Sequence, residues 1–134
     1  MNRATQKLFN LAKKVRENAY APYSQFKVGA AVLTSNGKTY VGCNVENVSY
    51  TLSTHAEMNA IDSAVAAGDR KIKAICIVID TPEPVFPCAL CRQKIIEFSN
   101  DIEVTAATLN GKLVSANIRD LYPKAFTPKD LGKR

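Results

Sequence analysis

In "TQKLFNLAKKVRENA" the apolar positions Leu8, Leu11, Ala12 and Val15 recur at helical spacing, with lysines and amides between them. The pattern predicts an amphipathic first helix, and Pro22 marks its end. Two apolar runs follow, "KVGAAVLT" and "TYVGC", on either side of "SNGK", where Asn36-Gly37 is a strong short-range hairpin signal. After a polar loop, "NVENVSY", an Ala-rich helix is expected from about Thr54 to Ala67, stopping at Gly68. "IKAICIVID" is apolar nearly throughout and reads as a buried central strand. A loop with three prolines, "TPEPVFP", leads into a helix that opens at "CALCRQKIIEF" directly after Pro87. "IEVTAATL" is another strand and Asn110-Gly111 another turn; the tail, "IRDLYPKAFTPKDLGKR", looks short-helical or irregular.

No repeat or linker divides the chain, so one domain over residues 1–134 is expected. The order α-β-β-α-β-α-β describes a hairpin extended by strands that are joined through helices. It predicts an α/β protein, a mixed sheet with helices on both faces in three layers, α/β/α.

Composition adds limits rather than detail. The chain is 46% hydrophobic and 22% charged, as in soluble globular proteins. Its longest apolar run, Ile72 to Ile79, is interrupted by Lys73 and is far shorter than the ~20 residues of a membrane span. The N-terminal "MNRATQKLFNLAKKV" has no apolar core or small-residue cleavage site, so no membrane partner and a cytoplasmic address are expected. A net charge of +6 could serve an anionic partner such as RNA, but the basic residues are scattered and read as a solvated surface. Four cysteines in a reducing compartment point to metal ligands or core positions rather than disulfides.

The chemistry concentrates in two short stretches. "THAE" holds His55, the only histidine of the chain. Thr54-x-x-Glu57 also fits a capping box, in which Thr54 caps the helix and Glu57 reaches back to it; that reading gives His55 no chemical role. "PCALC" changes the balance. Cys88 and Cys91 stand at i and i+3, so at a helix start both sulfurs face one way. Unpaired amides and the positive dipole end favour thiolate over thiol there. C-x-x-C is a zinc half-site and also a redox motif, and the redox reading expects a thioredoxin-like context that is not seen here. Two thiolates need a further ligand, and His55 is the available imidazole. The two helix N-termini can converge at one end of the sheet, where α/β folds place ligands. Three protein ligands leave the fourth zinc position to water, whose pKa then falls to roughly 7. Glu57 lies two residues beyond His55, close enough to exchange protons with such a water. Cys43 and Cys76 fall in strand segments and read as structural thiols.

"HAE" followed by "PCALC" resembles the H-x-E…P-C-x-x-C signature of the zinc nucleobase deaminases, which tRNA adenosine deaminases share. The rest of the chain is similar to the short cytidine deaminases over nearly its whole length. The matching stretches are "YAPYSQFKVGAAVLTSNGKTYVGCNVENVSY" (Tyr20 to Tyr50), "CRQ" (Cys91 to Gln93) and "YPKAFTPKDL". The resemblance implies a three-layer sandwich around a mixed five-stranded sheet. It also implies one Zn²⁺ per subunit on His55, Cys88 and Cys91, and a homotetramer whose sites are shared between subunits. The implied reaction is hydrolytic deamination of cytidine and 2'-deoxycytidine in pyrimidine salvage, with hydroxide attacking C4 and Glu57 carrying the proton to N3 and then to ammonia. Asn44 and Glu46 would grip the sugar, the N–H of Ala56 would hold the base O2, and Phe26 would flank the base. Tyr50 would stand at the site or a subunit contact, and Phe126 would reach a neighbouring subunit's site.

The chain departs from that pattern in places. Many short members have cysteine at the position of His55 and arginine at that of Met58. Three thiolates on Zn²⁺ sum to −1, which an arginine offsets; two thiolates and a neutral imidazole sum to zero, and Met58 then suffices. His55→Cys should therefore lower kcat/KM, and adding Met58→Arg should restore part of it; a double variant no better than the single one defeats this charge accounting. Phe86 stands where serine often precedes "PC", and Ala89-Leu90 replace a Gly-x pair, so bulk beside the base could narrow the substrate range. The rival readings are a deaminase of a modified aminopyrimidine nucleoside, a deaminase of a base in RNA, and a non-catalytic zinc-stabilised nucleoside-binding module. A closed pocket gripping free ribose argues against nucleic acid as a partner.

Overall fold

The computed structural model describes residues 1–133. Its element order is α1 (Arg3–Arg16), β1 (Val28–Thr34), β2 (Thr39–Cys43), α2 (Ala56–Ala66), β3 (Ile72–Ile79), α3 (Ala89–Ile96), β4 (Glu103–Thr108), β5 (Leu113–Asn117) and α4 (Ile118–Leu121). The strands form one mixed five-stranded sheet in the order β2-β1-β3-β4-β5. Only β3 and β4 run parallel, joined by the α3 crossover; the other neighbours are antiparallel. β3 is buried along most of its length, as its apolar run predicts.

The alternation of side chains along the strands divides the interior in two. Ala30, Val32, Ile75, Ile77 and Val104 face the layer formed by α2 and α3. Ala31, Cys76, Val78 and Ala107 face α1, which contributes Leu8, Phe9 and Ala12. Three layers result, as expected. Phe9 joins that core while Leu11 and Val15 stay half-buried, so α1 lies on the sheet rotated from the face its spacing suggests.

Two glycines set how closely the layers approach. A Cβ on Gly29 would stand 2.0 Å from the Ala12 carbonyl of α1. A Cβ on Gly42 would stand 2.3 Å from the Ala60 nitrogen and 2.6 Å from the Ala56 carbonyl, both in α2. Gly42 thus lets the helix that carries the site press directly on β2. Gly42→Ala should overpack this contact by about 1–3 kcal/mol or more, lowering Tm by several degrees in a thermal melt. An unchanged Tm would show that the layer relaxes freely.

Candidate active site

The ends of β2 and β3 and the start of β1 lie together, since Gly29 pairs with both Cys43 and Val78, and Val28 with Ile79. Both α2 and α3 begin at this end of the sheet. The capping box that the spacing of Thr54 and Glu57 allows is not formed: α2 starts at Ala56, and its N-cap is His55. Tertiary contacts claim Thr54 instead. Its backbone bridges Val45, and its hydroxyl donates to the Val45 carbonyl and accepts from Asn59 Nδ2 at 3.1 Å. That frees Glu57 to turn inward. α3 opens in the same way, with Cys88 as N-cap. Both cap residues have extended backbones and use their carbonyls, not their side chains, to start the helix. Their side chains are left to converge.

His55 Nδ1 stands 3.2 Å from Cys91 Sγ and 3.4 Å from Cys88 Sγ. Among the described residues, His55, Cys88 and Cys91 form a group able to hold a metal, with ligand atoms all within 4.8 Å of one another. Tetrahedral zinc with Zn–S about 2.3 Å and Zn–N about 2.0 Å sets N···S near 3.5 Å, so the donors already stand close to ligand spacing. Cys91 is fully buried, and burial pushes its thiol well up, with the charges of Glu57 and Cys88 adding to the shift. A thiolate so placed needs a cation beside it. The donor set therefore fits zinc. Cys43 and Cys76 stand apart from the group as free thiols, and burial pushes Cys76 up to about 12.

Glu57, only 5% exposed, sits in the first turn of α2 beside this cluster. Burial raises its carboxyl above the ordinary value, while its own N–H, the charge of His55 and a hydrogen bond with Cys91 pull the other way. A buried carboxyl next to a group able to hold a metal is an arrangement suited to metal-assisted hydrolysis.

A cavity of about 730 Å³ opens over the cluster, and Phe26, Asn44, Glu46, Tyr50, Ala56 and Glu57 line it together with His55 and Cys88. Asn44 has a structural task as well: Oδ1 accepts from Val28 N and Nδ2 donates to the Phe26 carbonyl, both at 2.8 Å. Glu46 accepts from Tyr23 N, Ser24 N and the Ser24 hydroxyl. Those bonds, the Ser24 hydroxyl first, hold its carboxyl below the usual range. Tyr50 is 75% exposed, and its ring meets Tyr23 edge to face. Phe126 is the exception. It is 58% exposed and does not line its own chain's cavity; its carbonyl accepts from Gln93 Nε2 at 2.7 Å. Phe86 borders the cavity, whereas Ala89 and Leu90 point to solvent and do not.

Sequence reasoning missed the apolar floor of Ile77 and Ile79 and the wall residues Tyr23, Ser24 and Val85. It also missed Asn59, whose amide ties Thr54 to the Cys43 carbonyl at the end of β2. Arg92 clamps the site from behind, donating to the carbonyls of Pro87 at 2.6 Å and Leu121 at 2.7 Å. Arg92 belongs to the "CRQ" stretch that resembles the cytidine deaminases, but no role was read for it from the sequence.

Fold and site together describe a zinc-dependent hydrolase built on a three-layer sandwich. The model of the cytidine and deoxycytidylate deaminase zinc-binding region matches residues 2–107. A cytidine deaminase of Sporosarcina psychrophila is 45% identical over 128 residues, covering 95% of this chain and 94% of its own length. One of Halalkalibacterium halodurans is 42% identical over 95% of this chain and 97% of its own. The crystal structure of cytidine deaminase from Burkholderia pseudomallei superposes with a TM-score of 0.88 at 46% identity, covering 94% of this chain and all of that one. The chain belongs to the cytidine and deoxycytidylate deaminase family and is a zinc enzyme of that family.

Proposed function

We propose that the protein hydrolyses cytidine and 2'-deoxycytidine to uridine and 2'-deoxyuridine, consuming one water and releasing ammonia. The observation that carries this reading is the buried Glu57 carboxyl beside the His55–Cys88–Cys91 group, with Glu57, His55 and Cys88 lining one cavity. His55 Nδ1 and the two sulfurs would hold zinc, which supplies a water acidic enough to act as hydroxide near neutral pH. Glu57 takes the proton from the nucleophile, delivers it to the ring N3 and then serves the departing amine. Glu57 suits this shuttle by position, because its buried carboxyl lies beside the His55–Cys88–Cys91 group and lines the same cavity. Ala56 opens α2, where N–H groups lack helical partners, and its N–H would hold the base O2. Phe26 flanks the base. Asn44 keeps one amide N–H beyond its bond to Phe26, and Glu46 keeps acceptor capacity, so together they suit a sugar hydroxyl.

The whole chain acts as one deaminase domain over residues 1–134, in the cytoplasm, in pyrimidine salvage. Among the described residues no helix is long and apolar enough to cross a membrane. The subunits assemble as a homotetramer with shared sites, a reading supported by the exposed Val48, Tyr50, Leu52 and Phe126. Light scattering in solution checks it, and a monomer that is fully active would exclude it.

The test of function is an absorbance assay on cytidine, deoxycytidine and several analogues, run beside a transfer RNA in a salt series. Free nucleosides should turn over with little salt dependence, whereas RNA binding would weaken steeply as salt rises. A wild type that binds zinc and cytidine yet releases no ammonia would leave only a binding module.

A further inference from the structure

Sequence reading gave Ser24 itself no role, yet it is bound twice to Glu46. Its hydroxyl donates to Oε2 and its N–H to Oε1 at 3.1 Å. Tyr23 N joins the same Oε1 at 3.0 Å. The hydroxyl is also an acceptor, taking the Phe26 N–H at 3.0 Å. One oxygen thus links the carboxylate assigned to the sugar and the backbone of the aromatic residue assigned to the base. The turn that achieves this is not relaxed. Gln25 has φ 60, a left-handed conformation uncommon for residues with a side chain, and its N–H closes onto the Ala21 carbonyl at 3.0 Å. Tyr23, Ser24, Phe26 and Glu46 all line the cavity.

We propose that Ser24 is a positioning residue for nucleoside binding: through its hydroxyl it fixes the Glu46 carboxylate and the Phe26 wall in one arrangement before substrate arrives. This rests on the reading of Glu46 as the sugar's acceptor. Glu46 is only half-buried and sits on a loop, so without the hydroxyl its carboxylate can rotate toward solvent. The two N–H donors on Oε1 would then hold one oxygen and leave the other free to move. A carboxylate has about four acceptor sites, and three donors occupy three of them here. The remaining site therefore points in a set direction, which is what orientation of a bound sugar requires. Loss of Ser24 Oγ acts on binding and leaves the proton shuttle at Glu57 untouched.

The experiment is steady-state kinetics on cytidine with the full-length zinc-loaded protein, comparing wild type, Ser24→Ala, Ser24→Thr, Glu46→Gln and the Ser24→Ala/Glu46→Gln double variant. Ser24→Ala should raise KM about tenfold with kcat within twofold of wild type. Ser24→Thr, which keeps the hydroxyl, should restore KM. In the Glu46→Gln background, removing the hydroxyl should add little, because the two residues act as one unit. An unchanged KM in Ser24→Ala overturns the proposal, and so do fully additive effects or equal losses of kcat in the alanine and threonine variants. Absence of turnover by wild type overturns the functional reading and this one with it. Wild-type turnover with an insensitive Ser24 overturns this one alone.

Discussion

Replacing Glu57 with glutamine should lower kcat on cytidine by about 10²–10⁴-fold while zinc content stays at one per chain and KM changes only a few-fold. The amide keeps the size and position of the carboxyl but cannot take up and return a proton. The side chain is buried at the start of α2, so the exchange creates no cavity and exposes no new surface. A drop of less than tenfold would remove Glu57 from the proton path. The same substitution has a pH signature in zinc-free protein. Burial raises the folded-state carboxyl of Glu57 above its unfolded value, so the neutral form is the one the fold favours. That contribution is fully present below the unfolded pKa of about 4.3 and is lost as pH rises through the raised folded value. At neutral pH the zinc-free Glu57→Gln protein should therefore melt at or above the zinc-free wild type, and the gap should close near pH 4. A zinc-free variant less stable than wild type at pH 7 would mean that the carboxylate is held by favourable contacts rather than strained by burial.

How far the sequence reveals this site depends on whether a signal is local. Four strands announce themselves by apolar runs between turn residues, and β3 does so most strongly. β5 does not, because "LVSAN" is an edge strand with two exposed residues and no apolar run; only Asn110-Gly111 hinted at a hairpin, and the five-stranded sheet came from family resemblance. The metal group was legible because its parts are rare. One histidine and a C-x-x-C at helix starts leave few ways to build a ligand set. Thr54 shows the opposite case. Its spacing from Glu57 satisfies a local capping rule, yet Asn59 and Val45 take its hydroxyl, and no local rule can weigh contacts made across the fold. Asn44 and Glu46 read as polar loop residues with a ligand role, but their side chains also hold the chain at 23–28, which depends on a turn that places Ser24 opposite Glu46. The position of Phe126 was beyond such reading as well, since an exposed aromatic near a chain end carries no periodicity.

Cys91→Ala should reduce zinc from one per chain to none and abolish turnover, and added zinc should not restore it. Chelated wild type provides the comparison. It should lose activity yet keep its sheet, because the His55 and Cys88 caps are set by backbone geometry, and aliphatic cores on both faces of the sheet do not involve the metal. Zinc readdition should return its activity. The stability difference follows from mass action: free zinc at a thousand times its Kd stabilises the folded state by about 4 kcal/mol, worth on the order of 10 °C in Tm for a domain of this size. Chelated wild type and Cys91→Ala should thus melt at similar temperatures, both well below the zinc-loaded enzyme. The burial of Cys91 sharpens the contrast. Without a cation its thiol stays protonated in an apolar setting and costs the fold little, so alanine there gives up one sulfur's packing and little else. If Cys91→Ala melted far below chelated wild type, the residue would be holding the core rather than a metal. If chelated protein stayed active, zinc would have no part in the reaction.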